Sequence, residues 1–176
     1  NDISGLPDAF NAKLCAEHGA ALLIMHSVGQ PKVAHTHVTY ESIMDTLDLF
    51  FEQRIVMAES VGLSRESILL DPGIDFAKQR DDNLTIYREL ERLHRFDRPI
   101  LLPVSRKTVI GDVLGVPALE RDAGTVACIS SGMTRGAQIF RVHNVKAASQ
   151  AVRMLWAVQR STSPLVTSPG SSSAMS

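Results

Sequence analysis

Five short clusters hold the side chains with the most chemistry in this sequence: Asn1-Asp2, Met25-His26, Asp71-Pro72-Gly73, Ser105-Arg106-Lys107 and Arg141-Val142-His143. Asp71 offers two acceptor oxygens that match a planar amidine or guanidine edge, such as the 2-amino-pyrimidinone of a pterin or of guanine. Asn1 both donates and accepts at such a ring. Lys107, Arg141 and His143 supply positive charge and donors for a ring carbonyl or a phosphate group, and the arginine fork grips two oxygens at once. The combination describes a site for a flat heterocycle bearing an anion. Preorganised cations around a departing pyrophosphate favour group transfer over proton abstraction, and no nucleophile here has an attendant base. Each cluster taken singly also has a plainer reading: Asp-Pro-Gly as a turn, Arg141 as a surface ion pair, His26 or His143 as a satisfied buried imidazole. Their common placement shifts the balance.

Each cluster closes a short apolar run. Residues 21–25, 68–70, 100–104 and 138–142 read as buried strands, and residues 1–3 as the stub of one more. Helical spacing is clearest over residues 39–62, where Met44, Leu47, Phe51, Ile55 and Ala58 form one stripe, with Thr39 as its cap and Gly62 past its end. Further helices are predicted over 82–95 with Asp82 as N-cap, over 119–135, after Asn144 (carrying Ala148, Val152, Leu155 and Trp156), and between Pro7 and Gly19. Strands buried on both faces and separated by helices form a parallel sheet. All its strand ends then lie on one side, the side on which such folds bind ligands.

Composition narrows the possibilities. A chain of 176 residues, 44% hydrophobic and 21% charged, suits one globular domain, assigned to residues 1–160, and excludes a wholly disordered chain. The Ser-, Pro- and Thr-rich stretch over 161–176 reads as a disordered tail. A net charge of -1 leaves no excess of cations for a phosphate backbone, so nucleic acid is not an expected partner. No apolar run approaches the ~20 residues that cross a bilayer. Two cysteines, Cys15 and Cys128, without C-x-x-C spacing point to a reducing cytoplasm. His35-Thr36-His37 lacks an acidic or Cys partner at ligand spacing and reads as solvent-exposed. No phosphate-cradling G-x-x-x-x-G-K or G-x-G-x-x-G loop occurs.

With those residues in hand, the chain resembles the dihydropteroate synthase family of the pterin-binding TIM-barrel superfamily, from Asn1 to about residue 159. The motifs are Asn1-Asp2-Ile3-Ser4-Gly5, Met25-His26 with Gly29 and Pro31, Asp71-Pro72-Gly73 with Phe76 and Lys78, Ser105-Arg106-Lys107 with Ile110-Gly111, and Arg141-Val142-His143. The resemblance implies an α/β fold, the (β/α)8 TIM barrel. It also implies condensation of 6-hydroxymethyl-7,8-dihydropterin diphosphate with 4-aminobenzoate to 7,8-dihydropteroate and diphosphate, with magnesium (Mg2+) assisting the leaving group. Carried over by position, Asn1 and Asp71 would hydrogen-bond the pterin, and Lys107 would contact the pterin and shape the aminobenzoate site. Met25 and Phe76 would line the slot, Ser105 would lie near the aminobenzoate carboxylate, and Arg141 and His143 would hold the diphosphate. Arg106 and Val142 complete the substrate-binding set, and Lys107, Asp71, Arg141 and His143 are the expected catalytic residues. Sulfonamides, as analogues of the amine, would compete for its place.

Four positions depart from the family's usual pattern: Asp75 stands at a common Gly, Asp82 at a common His, Pro103 at a common Gly and Asn144 at a common Asp. Asp75 is the departure with the clearest consequence, because it adds negative charge near a diphosphate site. A complete barrel takes at least about 200 residues, so the chain is expected to be an incomplete barrel covering about strands 4 to 8, with the magnesium ligand upstream and little activity in isolation. A homodimer through the face running from Ala148 to Trp156 is implied as well. A methyltetrahydrofolate methyltransferase uses a similar barrel, although the Ser-Arg-Lys turn argues against it, and a non-catalytic pterin-binding protein is the other alternative.

Overall fold

The computed structural model describes residues 1–29 and 37–160. The expected tail over 161–176, His35-Thr36 and Pro31 lie outside the described residues. The apolar runs form parallel strands β1 (Leu22–Met25), β2 (Ile68–Asp71), β3 (Leu101–Leu102) and β4 (Ile139–Phe140). Leu22 pairs with Ile68 and Met25 with Asp71, while Leu101 pairs with Ile139 and Leu102 with Phe140. A parallel bridge between Leu70 and Ile100 joins the two pairs, and a second, between Asp2 and Ile24, adds the N-terminal stub beside β1. Spatial order therefore follows chain order, each step being a helical crossover. The β3–β4 ladder is shorter than expected, two residue pairs long.

Helices α1 (Phe10–Glu17), α2 (Ile43–Ser60), α3 (Arg80–Arg88), α4 (Thr108–Leu114), α5 (Asp122–Thr134) and α6 (Val145–Arg160) intervene. The α2 stripe buries Met44, Leu47, Phe51, Ile55 and Ala58 as expected, but the cap is Ser42, whose hydroxyl accepts from the Asp45 N–H at 3.2 Å. Asp82 does not begin α3. It sits at the third helical position and accepts the Gln79 N–H at 2.8 Å, closing a capping box. The expected remainder of that helix runs on as a 3-10 helix, Leu90–Phe96. Asn144 caps α6 as expected, accepting from the Ala147 N–H at 3.1 Å.

Helix α4 is absent from the sequence-based reading. Its seven residues include Val109, Ile110, Gly111 and Val113, all poor helix formers, so propensity gives no signal. Tertiary packing specifies it instead: a Cβ on Gly111 would lie 2.1 Å from the Arg121 guanidinium, which crosses the helix there.

Side-chain alternation sorts the sheet into two faces. Leu22, Ile24, Ile68, Leu70, Ile100 and Leu102 are fully buried against the helices, where Leu47, Phe51, Ile55, Ile86, Leu90 and Leu93 complete the core. By register, Leu23, Met25, Leu69, Asp71, Leu101 and Arg141 share the opposite, inner face. Asp2 pairs with Ile24 and turns its carboxylate toward α1, accepting from Asn11 Nδ2 at 3.0 Å. Its neighbour Asn1 therefore belongs to the inner face.

Candidate functional site

Asp71 ends β2, and its side chain is almost completely buried. Pro72 and Gly73 turn the chain sharply, and the Gly73 N–H donates to Asp71 Oδ1 at 2.7 Å. Only glycine fits this turn: φ is +70°, and a Cβ would lie 2.0 Å from the His26 carbonyl oxygen. Burial pushes the Asp71 carboxyl up to about 6, opposed by the Gly73 N–H and by Lys107, Lys78 and Arg141. At neutral pH the carboxylate is mostly ionised and accepts hydrogen bonds. Met25 lies level with it on β1 and is equally buried.

A cleft of about 220 Å³ opens at the ends of β3 and β4, lined by Pro103, Ser105, Lys107, Arg141, Val142 and His143. Ser105 Oγ lies 2.7 Å from His143 Nδ1 and accepts the His143 N–H at 3.1 Å, so the two expected anion-binding segments are tied together. Lys107 Nζ sits 4.7 Å above the centre of the Phe76 ring and donates to the Ile74 carbonyl at 2.7 Å. Burial lowers its affinity for the proton; Asp75 and Asp71 oppose that, and Arg141 reinforces it.

Of the ten residues expected in the site, Met25, Asp71, Phe76, Ser105, Lys107, Arg141, Val142 and His143 gather at consecutive strand ends. Asn1 is exposed on the inner face beside β1. Arg106 turns outward with φ +53° and pairs with Asp122 on α5, Nε to Oδ1 at 2.7 Å and Nη2 to Oδ2 at 3.2 Å. Its N–H also donates to Thr125 Oγ1 at 3.0 Å. Arg106 thereby braces the turn that presents Ser105 and Lys107.

The sequence reading did not identify three residues as supports of the site. Lys78, buried under the β2–α3 loop, places Nζ 2.8 Å from His26 Nδ1 and donates to the Phe76 carbonyl at 3.1 Å. Burial first, then Lys78 and Arg54, hold the His26 imidazole down to about 3, and burial holds Lys78 down to about 7. A neutral imidazole with Nδ1 accepting from Lys78 satisfies both groups. Arg121 donates to the Arg106, Lys107 and Val116 carbonyls, each at 3.2 Å. Asp75 points its carboxylate at the start of α4. Lys78 stands in the third motif and Asp75 among the departures, but their supporting roles, like that of Arg121, depend on partners elsewhere in the chain that residue type does not reveal.

Among the described residues, no group of three His, Cys, Asp or Glu side chains stands close enough together to hold a metal ion.

The family model for pterin binding enzymes matches residues 1–143. A dihydropteroate synthase of Escherichia coli (strain K12) is 34% identical over 155 residues, covering 88% of this chain and 55% of that protein. The chain thus spans about half the length of the curated relatives it matches. A Yersinia pestis dihydropteroate synthase solved in complex with a sulfonamide drug superposes with a TM-score of 0.85 at 35% identity, covering 90% of this chain and 58% of that one. The dihydropteroate synthase of Thermus thermophilus in complex with 4-aminobenzoate superposes with a TM-score of 0.84 at 32% identity, covering 90% and 65%. These likenesses give the parallel α/β unit described above a TIM-barrel-type fold.

Proposed function

Because the chain belongs to the family of pterin binding enzymes, we propose that it supplies the pterin- and aminobenzoate-facing part of a dihydropteroate synthase, a transferase of folate biosynthesis, corresponding to about strands 4 to 8 of an eight-stranded barrel. The observation that carries this reading is the convergence of Asp71 with Lys107, Arg141 and the Ser105–His143 pair at the ends of consecutive parallel strands.

In the proposed reaction the lone pair of the 4-aminobenzoate nitrogen attacks the methylene carbon of 6-hydroxymethyl-7,8-dihydropterin diphosphate. A C–N bond forms, the C–O bond to the diphosphate breaks, its electron pair leaves on the diphosphate oxygen, and the amine loses a proton to solvent. Asp71 accepts from the ring's amino and N–H edge, assisted by Asn1, while Met25 and Phe76 pack its flat faces. Lys107 donates to the pterin from its place over Phe76 and borders the aminobenzoate site, with Ser105 toward the carboxylate. Arg141 and His143 meet the charge that builds on the diphosphate, with Val142 between them. Arg106 enters through the turn it braces. The described residues provide no metal-ligand set, so no step here is routed through the magnesium that the family resemblance implies.

A homodimer belongs to the same proposal, supported by Met154, Trp156 and Val158 standing half or more exposed on α6. A cytoplasmic location is supported by Cys15 and Cys128 being free thiols.

The test is to incubate a protein carrying this chain with the dihydropterin diphosphate and radiolabelled 4-aminobenzoate. Labelled pteroate is expected, competed by sulfonamides and lost in Lys107→Ala, with the far-UV circular dichroism unchanged. Pterin binding without any labelled product would favour the non-catalytic binding protein.

A further inference from the structure

Asp75 stands in the β2–α3 loop with φ +66°, in the left-handed region that a side chain resists. A residue persists there when its surroundings over-determine it, and here they do. Asp75 Oδ2 accepts the Thr108 N–H and Oδ1 accepts the Val109 N–H at 3.3 Å, two of the open amides at the start of α4. Oδ1 also accepts from Asn83 Nδ2 at 3.2 Å, and the Asp75 N–H donates to Asn83 Oδ1 at 2.9 Å. Asn83 is itself buried and anchored by a 3.1 Å bond to the Gln79 carbonyl. One residue earlier in each segment, Lys107 Nζ donates to the Ile74 carbonyl. Residues 74–75 and 107–109 are thus clasped by main chain and side chain together.

We propose that Asp75 is a positioning residue for Lys107: its carboxylate locks the start of α4 to the Asp71 loop and so holds the Lys107 ammonium over Phe76 and beside Asp71 before any ligand arrives. The negative charge that Asp75 adds to the loop is taken up by α4 and by Lys107 rather than presented to an incoming anion. Charge supports the geometry. Lys107 faces Asp75 and Asp71 from one loop, Lys78 from the same loop and Arg141 from the end of β4; Asp75 is the largest of the charges that oppose the effect of burial on it.

The consequence for ligand binding rests on the proposed pterin reading, whereas the clasp itself does not, and the experiment separates them. Lysine 13Cε resonances are followed through a pH titration in the unliganded wild type, Asp75→Asn and Asp75→Gly, with Lys107→Met identifying the Lys107 signal. Binding of 6-hydroxymethylpterin is measured across the same range. The Lys107 midpoint is expected to fall in both variants, and the alkaline limb of pterin binding to move down with it. Glycine suits the backbone at this position, so Asp75→Gly keeps the test open should Asp75→Asn fail to fold. Two folded variants with an unmoved Lys107 midpoint would overturn the proposal, as would a moved midpoint with an unmoved limb of pterin binding. A wild type that binds no pterin would refute the proposed function while the titration still decides the clasp.

Discussion

Replacing Asp71 with asparagine should make the fold more stable at alkaline pH while removing the pterin recognition proposed for it. The carboxyl is raised from 3.8 to about 6 in the folded chain, so the native state holds that proton more tightly than the unfolded state does. Ionisation of Asp71 consequently opposes folding as pH rises through that interval. A shift of ~2 units at about 1.4 kcal/mol each gives a penalty of about 3 kcal/mol near pH 8 that vanishes below the unfolded value. Lys78 changes this little near pH 8: its ammonium is already depressed from 10.5 to about 7, so it is mostly the neutral amine there, although Asp71 is the largest charge holding it up. The net stabilisation expected for Asp71→Asn near pH 8 is then about 1–3 kcal/mol. His26 works in the other direction. Depressed from 6.5 to about 3, it contributes stability that is fully present above 6.5 and is lost as pH falls toward 3, about 5 kcal/mol at most. Between about pH 6 and pH 4 the two carry opposite signs and nearly cancel in the wild type. Asp71→Asn removes one of them and should expose the His26 slope. Guanidinium unfolding followed by circular dichroism at about pH 4.5, 6 and 8, with pterin binding measured in parallel, tests each part. A variant less stable than the wild type by about 1 kcal/mol or more near pH 8 would refute the reasoning, since the surrounding cations would then outweigh the burial of the carboxylate.

Gly73→Ala should lower stability by about 3 kcal/mol or more, because it combines positive φ with a Cβ 2.0 Å from the His26 carbonyl oxygen; thermal denaturation reads the effect, and a melting temperature within a degree or two of the wild type would contradict it. Arg121→Ala should cost about 1–2 kcal/mol by freeing the Arg106, Lys107 and Val116 carbonyls. It should also weaken pterin binding about tenfold through the loosened Lys107 turn, as read by titration calorimetry, and Arg121→Lys should not restore it, since an ammonium cannot reproduce the guanidinium's spread of donors.

The positions of the chemical groups were legible in the sequence because strand ends are local features. The runs closing at Met25, Asp71 and Arg141 needed only continuous apolar residues beside a polar stop, and register then places all three on one face. Which side chains turn toward the cleft was less legible. Ser105, Arg106 and Lys107 are consecutive and all polar, yet a positive φ at Arg106 sends its guanidinium out to Asp122 while its neighbours face the pocket. Nothing in the residue types distinguishes the three; the distinction comes from Thr125 and Asp122, more than fifteen residues further on. Helix α4 and its two fasteners were illegible for the same reason. Val109, Ile110 and Gly111 form a helix because Arg121, later in the same crossover, and Asp75, from the β2–α3 loop, both reach it, and Asp75 becomes a neighbour only when the sheet has brought β2 and β3 side by side. The sequence therefore shows which polar groups close the strands, whereas the groups that hold them in place are specified by contacts between residues distant in the chain. It follows that substitutions at Asp75, Arg121 and Asp122, none of which lines the cleft, should alter binding through the position of Lys107 and Ser105 rather than through contact with the ligand.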